Sequence, residues 1–188
     1  ALRWIRDHGS QYPCDMQNIM LTGDSAGGQL AAYSAVLMQS AQLRKTFDTV
    51  DPQMELTALL LTSPVAFMRD GGLFSLYTKP MWGTDYKDKA TYPYMDFDQI
   101  IDYAQALPPT YLITSSGDTL ANKQTHRLYE VLQAHGVQAE IKDYAKAEYN
   151  QSLPHVFSVL QPFEPAGTAA IDKAVAFYQQ GMNAKAAQ

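Results

Sequence analysis

Cysteine is nearly absent from this sequence: Cys14 stands alone among 188 residues. No intrachain disulfide can form, which excludes a small secreted fold held together by cross-links. Positive charge is also scarce. Fourteen Lys and Arg stand against nineteen Asp and Glu, for a formal charge of −5. That balance excludes a nucleic-acid surface, which needs a basic stripe to displace counterions from phosphates. The longest strongly apolar run without a charge, Leu56 to Met68, falls short of the roughly 20 residues that span a bilayer, so no transmembrane segment is expected. No Cys/His cluster and no H-E-x-x-H pattern occur, which leaves metal catalysis without support. No targeting segment opens the chain, and a cytoplasmic location is the expectation. What remains is a soluble globular chain, 46% apolar and 18% charged, long enough to bury a real core.

Apolar periodicity orders the chain. Residues 1–8 read as a helix with Gly9 past its end, although no N-cap residue precedes it. Asn18 to Thr22 reads as a buried strand, and from Ser25 to about Leu43 the period turns helical, with Leu30, Ser34, Leu37, Met38 and Ala41 on one face. Leu56 to Thr62 and Tyr111 to Ser115 are further buried strands. Leu120 to His135 is a helix with Leu120, Gln124, Leu128, Val131, Leu132 and His135 on its stripe. Val137 to Tyr144 is a fourth strand, and 165–180 a closing helix through Ile171, Ala174, Val175 and Tyr178, with a frayed tail from Asn183. Strands alternating with helices predict an α/β fold: a parallel sheet covered on both faces. One segment breaks the alternation. Residues 66–107 are rich in aromatics, among them Tyr77 and Trp82, and are too long for an ordinary connection. They read as a cap or lid, as the packing of a small subdomain, or as both.

Gly23-Asp24-Ser25-Ala26-Gly27-Gly28 satisfies G-x-S-x-G with a strand running in and a helix running out. Such a turn holds the serine under strain and needs small flanking residues. It lifts the hydroxyl to the C-terminal edge of the sheet and leaves the Ala26 amide at a helix N-terminus, suited to an oxyanion. A phosphate loop would need a neighbouring lysine, and there is none. A chymotrypsin-like arrangement fails because only His8 precedes the serine and a helix follows it.

A serine needs a base, and topology chooses among four histidines. His8 lies on a surface helix, His126 falls on the polar face of its helix, and His135 is carried to the opposite edge of the sheet. His155 follows the next strand and returns to the serine's edge. The carboxylate that fixes a histidine tautomer is read as Asp118, directly after strand 111–115. Asp143 and Glu148 are the alternatives.

The order Ser25, Asp118, His155, with GDSAGG on the elbow, resembles the α/β-hydrolase superfamily, and within it the hormone-sensitive-lipase-like esterases of bacterial family IV. SGDTLANKQTHRLYEVLQAHGV is similar to their acid-bearing segment, and LPHVF to their His-x-Phe. The resemblance implies hydrolysis of small or medium acyl esters through an acyl-enzyme, without cofactor. It implies Ser25 as nucleophile, His155 as base, Asp118 as its orienting acid and the Ala26 amide as oxyanion donor. Asp24, Tyr77, Trp82 and Phe157 are candidates for the substrate pocket. The family also carries an HGGG-type loop and further strands before the serine, which this sequence does not hold. The expectation is therefore the C-terminal portion of an α/β-hydrolase over 1–188, weakly active or inactive alone and prone to self-association or dependent on an N-terminal segment. A non-catalytic ligand-binding relative and an inert fragment are the alternatives.

Overall fold

A computed structural model describes residues 1–69 and 75–187. Four strands, β1 (Met20–Asp24), β2 (Ala58–Thr62), β3 (Thr110–Ser115) and β4 (Ala139–Tyr144), form one parallel sheet in the order β1-β2-β3-β4. Register aligns their C-terminal ends: Asp24 opposes Thr62, and Ser115 opposes Tyr144. The loops that follow β1, β2 and β3 therefore leave from one edge, where ligands gather in parallel α/β sheets.

The alternation of side chains along each strand builds two cores. Leu59, Leu61 and Leu112 point to the face covered by α2 (Ala26–Gln39) and α5 (Asn122–Ala134), whose Val36, Leu128 and Leu132 join them. Ala58, Tyr111 and Ile113 point to the other face, against Ala170, Ala174 and Phe177 of α8 (Pro165–Ala186).

The sheet and the helices stand where the periodicity predicts them, but two helix faces do not. On α2 the buried side chains are Gln29, Ala31, Ala32, Tyr33, Ala35 and Val36, while Leu30 is 69% exposed. The reason is close approach at the start of the helix, where a Cβ on Gly28 would sit 2.8 Å from the Cβ of Pro64, and a buried face rich in small residues beyond it. The helix also ends early. Ser40 turns extended and its hydroxyl accepts from the Leu43 amide at 3.2 Å, starting α3 (Ala41–Thr46) in the manner of an N-cap. On α8 the alanine face is buried and Ile171 and Val175 are turned outward. That helix continues through the segment expected to fray, because Lys185 donates to the Gln17 carbonyl at 2.7 Å and Tyr178 to the Asn18 carbonyl at 2.5 Å.

The described residues of 66–107 include α4 (Ser75–Trp82) and four 3₁₀ turns. Phe97 is fully buried in the core beneath α2, and Tyr94 and Tyr103 pack against that core. Trp82, Tyr86 and Tyr92 instead gather around Val65, Met68, Met95 and Ala121.

Candidate active site

Ser25 stands between β1 and α2 with φ 52° and ψ −118°, a conformation that costs a non-glycine residue about 1–3 kcal/mol. The surroundings over-determine it. The Ser25 amide donates to the Thr62 carbonyl and the Val65 amide donates to the Ser25 carbonyl, both at 3.0 Å, so the turn is tied to the end of β2. A Cβ on Gly23 would lie 2.1 Å from the Gly27 carbonyl oxygen, which is why only glycine fits there. The Ser25 hydroxyl makes no cap hydrogen bond to α2. It lies 2.9 Å from Nε2 of His155 instead. Ala26 opens α2, and amides in the first turn have no intrahelical partner.

Asp118 is 2% exposed at the turn between β3 and α5. One carboxylate oxygen accepts from the amides of Leu120 and Ala121 at 3.0 and 2.9 Å, and the other accepts from Nδ1 of His155 at 3.0 Å. Burial alone would raise its pKa. Burial is the largest single influence, but hydrogen bonds, led by those from His155 and the Ala121 amide, and the charge of His155 together outweigh it and hold the carboxyl below the ordinary aspartate value. Ser25, His155 and Asp118 are therefore joined in one hydrogen-bonded line across 130 residues of sequence.

The other candidates are engaged elsewhere. Asp143 accepts from His126 at 2.9 Å and from the Asn122 side-chain Nδ2 at 3.0 Å, so His126 is paired rather than merely solvated. Glu148 pairs with Lys142 at 3.1 Å. His135 donates to the Val131 carbonyl or pairs with Asp102, depending on tautomer, and His8 stacks on Trp4. Of the pocket candidates, Asp24 is exposed at the end of β1. Trp82 is half-buried against the cluster of Val65 and Ala121, whose amides donate to the Ser25 carbonyl and the Asp118 carboxylate. Phe157 has no exposed surface and packs on Tyr144 at 5.2 Å, which makes it part of the core beneath the histidine. The Tyr77 side chain lies outside the described residues.

A family model described as the alpha/beta hydrolase fold matches residues 1–153. The chain belongs to that family. Among relatives, the probable carboxylic ester hydrolase LipM of Mycobacterium tuberculosis is 25% identical over 173 residues, which are 90% of this chain and 39% of LipM. The crystal structure of a tributyrin phosphonate-inhibited esterase B from Lactobacillus rhamnosis superposes with a TM-score of 0.87 at 28% identity, covering 99% of this chain and 60% of that one. An acetyl ester-xyloside bifunctional hydrolase from Caldicellulosiruptor lactoaceticus shares the fold, with a TM-score of 0.69 at 19% identity over 96% of this chain and 63% of that chain. This α/β-hydrolase chain thus spans less than two thirds of the length of each of these relatives. Among its described residues, no helix is long and apolar enough to cross a membrane.

One anchoring residue of this α/β-hydrolase goes beyond the motif. Gln124, buried on α5, accepts from the amides of Ala66 and Phe67 at 2.9 and 3.1 Å and donates to the Phe67 carbonyl at 3.1 Å. It ties the start of the 66–107 segment to the helix that follows Asp118. The signal is visible in sequence as a glutamine between Leu120 and Leu128 on the helix stripe. Gln124→Leu leaves two buried amides without an acceptor, and the expected loss is about 2–4 kcal/mol in urea unfolding. A loss within experimental error of zero would show that the tie is dispensable.

Proposed function

We propose that this chain carries the catalytic machinery of a serine carboxylic ester hydrolase acting on small-molecule esters of small or medium acyl chains. The observation that carries this reading is the hydrogen-bonded line from the Ser25 hydroxyl through His155 to Asp118, at 2.9 and 3.0 Å. A serine that merely capped α2 would turn its hydroxyl to the helix, and this one does not. Relatives named as a carboxylic ester hydrolase and an esterase add support.

In this reading His155 Nε2 takes the Ser25 proton as Oγ attacks the ester carbonyl carbon. The carbonyl oxygen gathers negative charge, which the Ala26 amide and the N-terminal dipole of α2 stabilise. Asp118 holds His155 with Nδ1 protonated and stabilises the imidazolium that forms. The tetrahedral intermediate collapses, His155 returns its proton to the departing alkoxide, and the alcohol leaves. Water then attacks the acyl-Ser25 carbonyl, giving its proton to His155, and the acid is released as Ser25 recovers a proton. No cofactor enters either half.

Residues 66–107 serve in this proposal as a cap over the acyl site, with Trp82 as part of its apolar wall. Esterase B was crystallised with a tributyrin phosphonate, and butyrate esters are the first substrates to try here. Trp82→Ala is expected to change the acetate-to-butyrate preference several-fold while shifting the thermal midpoint by only a few degrees. Equal loss on both esters with a large fall in melting temperature would make Trp82 a packing residue alone. The test of the reaction itself is rapid mixing with p-nitrophenyl butyrate. A burst of nitrophenol near one equivalent per chain is expected, and binding of the ester without release of nitrophenol would favour a ligand-binding relative.

A further inference from the structure

His155 lies in a short strap between two residues sunk in the core beneath α8: Leu153, 2% exposed, and Phe157, fully buried. Between them Pro154 has a restricted φ and Val156 adopts φ 53°, so the imidazole is presented on a tight turn. The strap meets the acid loop through Ser115, the last residue of β3. The Ser115 hydroxyl has no exposed surface and donates to the Leu153 carbonyl at 2.6 Å. Gly117 admits the same carbonyl from the other side: a Cβ there would lie 2.6 Å from the Leu153 oxygen. Ser115 is itself well held. Its carbonyl accepts from the Asp118 amide at 3.0 Å and from the Asn122 side chain at 2.9 Å, and its backbone is paired with β4.

We infer that Ser115 is a positioning residue for His155, its hydroxyl setting through the Leu153 carbonyl where the imidazole stands between Asp118 and Ser25. This rests on the proposal that those three residues form a catalytic triad. Two links join the acid loop to the strap: Asp118 to His155, and Ser115 to Leu153. One link alone is a pivot, about which the imidazole can swing as it gains and loses a proton in each turnover. Two links fix its direction. The second is neutral and buried, so it keeps its strength while the charge on His155 changes. Gly117 is the steric half of the same device, since a side chain there would push the carbonyl off the Ser115 hydroxyl.

The experiment uses Ser115→Ala, Ser115→Thr and Gly117→Ala in this chain. It reads the rate of Ser25 labelling by a fluorophosphonate, the downfield proton resonance of His155 Nδ1–H bonded to Asp118, and the thermal midpoint as a check on folding. Ser115→Ala is expected to slow labelling about 10–100-fold, as a misplacement near 1 Å does, and to broaden the resonance. Ser115→Thr, which keeps the donor, recovers most of the rate, and Gly117→Ala slows labelling with Ser115 intact. If Ser115→Ala does not fold, Gly117→Ala decides. Wild-type labelling rates with an unchanged resonance in the folded variants overturn the inference. A wild-type chain that is never labelled contradicts the triad instead, and the resonance in the variants then still reports whether Ser115 sets the strap.

Discussion

Ser25→Gly is expected to yield a chain more stable than wild type that has lost essentially all ester turnover. Ser25 sits at φ 52° and ψ −118°, and strain of this kind amounts to about 1–3 kcal/mol for a residue with a Cβ. Glycine removes it, at a cost of about 0.4–1 kcal/mol from the greater freedom of the unfolded chain. A net gain on the order of 1 kcal/mol should appear as a higher urea midpoint. The same substitution deletes the proposed nucleophile, for which losses on the order of 10⁶ in kcat are the precedent. Stability and chemistry thus move in opposite directions at one residue. A variant that is both less stable and comparably active would show that the turn serves neither purpose.

Asp118→Asn has the second largest expected effect. The amide can present its N–H to the ring and so favour the wrong histidine tautomer, and the expected fall in kcat is about 10⁴-fold. Stability should also change, in a pH-dependent way. Because the folded chain holds this carboxyl below its ordinary value, through hydrogen bonds and the His155 charge that together outweigh burial, the folded state binds the proton less readily than the unfolded one. The carboxylate therefore adds stability that is complete above the free aspartate value of about 3.9 and lost as pH falls through the lower folded value. The wild-type advantage over Asp118→Asn in urea unfolding should be full at neutral pH and shrink in strong acid. An advantage that grows on acidification would contradict the hydrogen-bond account of Asp118.

The elbow was legible because its chemistry is local. Gly-Asp-Ser-Ala-Gly-Gly needs only a strand before it and a helix after it, and both write their periods plainly. Topology then places Asp118 and His155 on the serine's edge, since each follows a parallel strand. The buried faces of α2 and α8 were not legible from large apolar side chains. Those helices approach the sheet on faces rich in glycine and alanine, with Val36 and Phe177 among them, so Leu30, Ile171 and Val175 are left outward. Nor was the fastening of the histidine strap, for the Ser115 hydroxyl and the Leu153 carbonyl meet across 38 residues through a backbone group that carries no sequence signature. The pairing of His126 with Asp143 escaped for a related reason: a polar helix face looks solvated until the neighbouring strand is placed beside it.

The central claim is that Ser25 is a nucleophile activated by His155. Treating the chain with a fluorophosphonate, weighing it intact and mapping the adduct by peptide fragmentation tests this most directly. The account predicts one adduct, on Ser25, absent from Ser25→Ala and formed far more slowly in His155→Ala. No adduct on the folded wild-type chain, an adduct on another residue, or equal labelling of His155→Ala would contradict it.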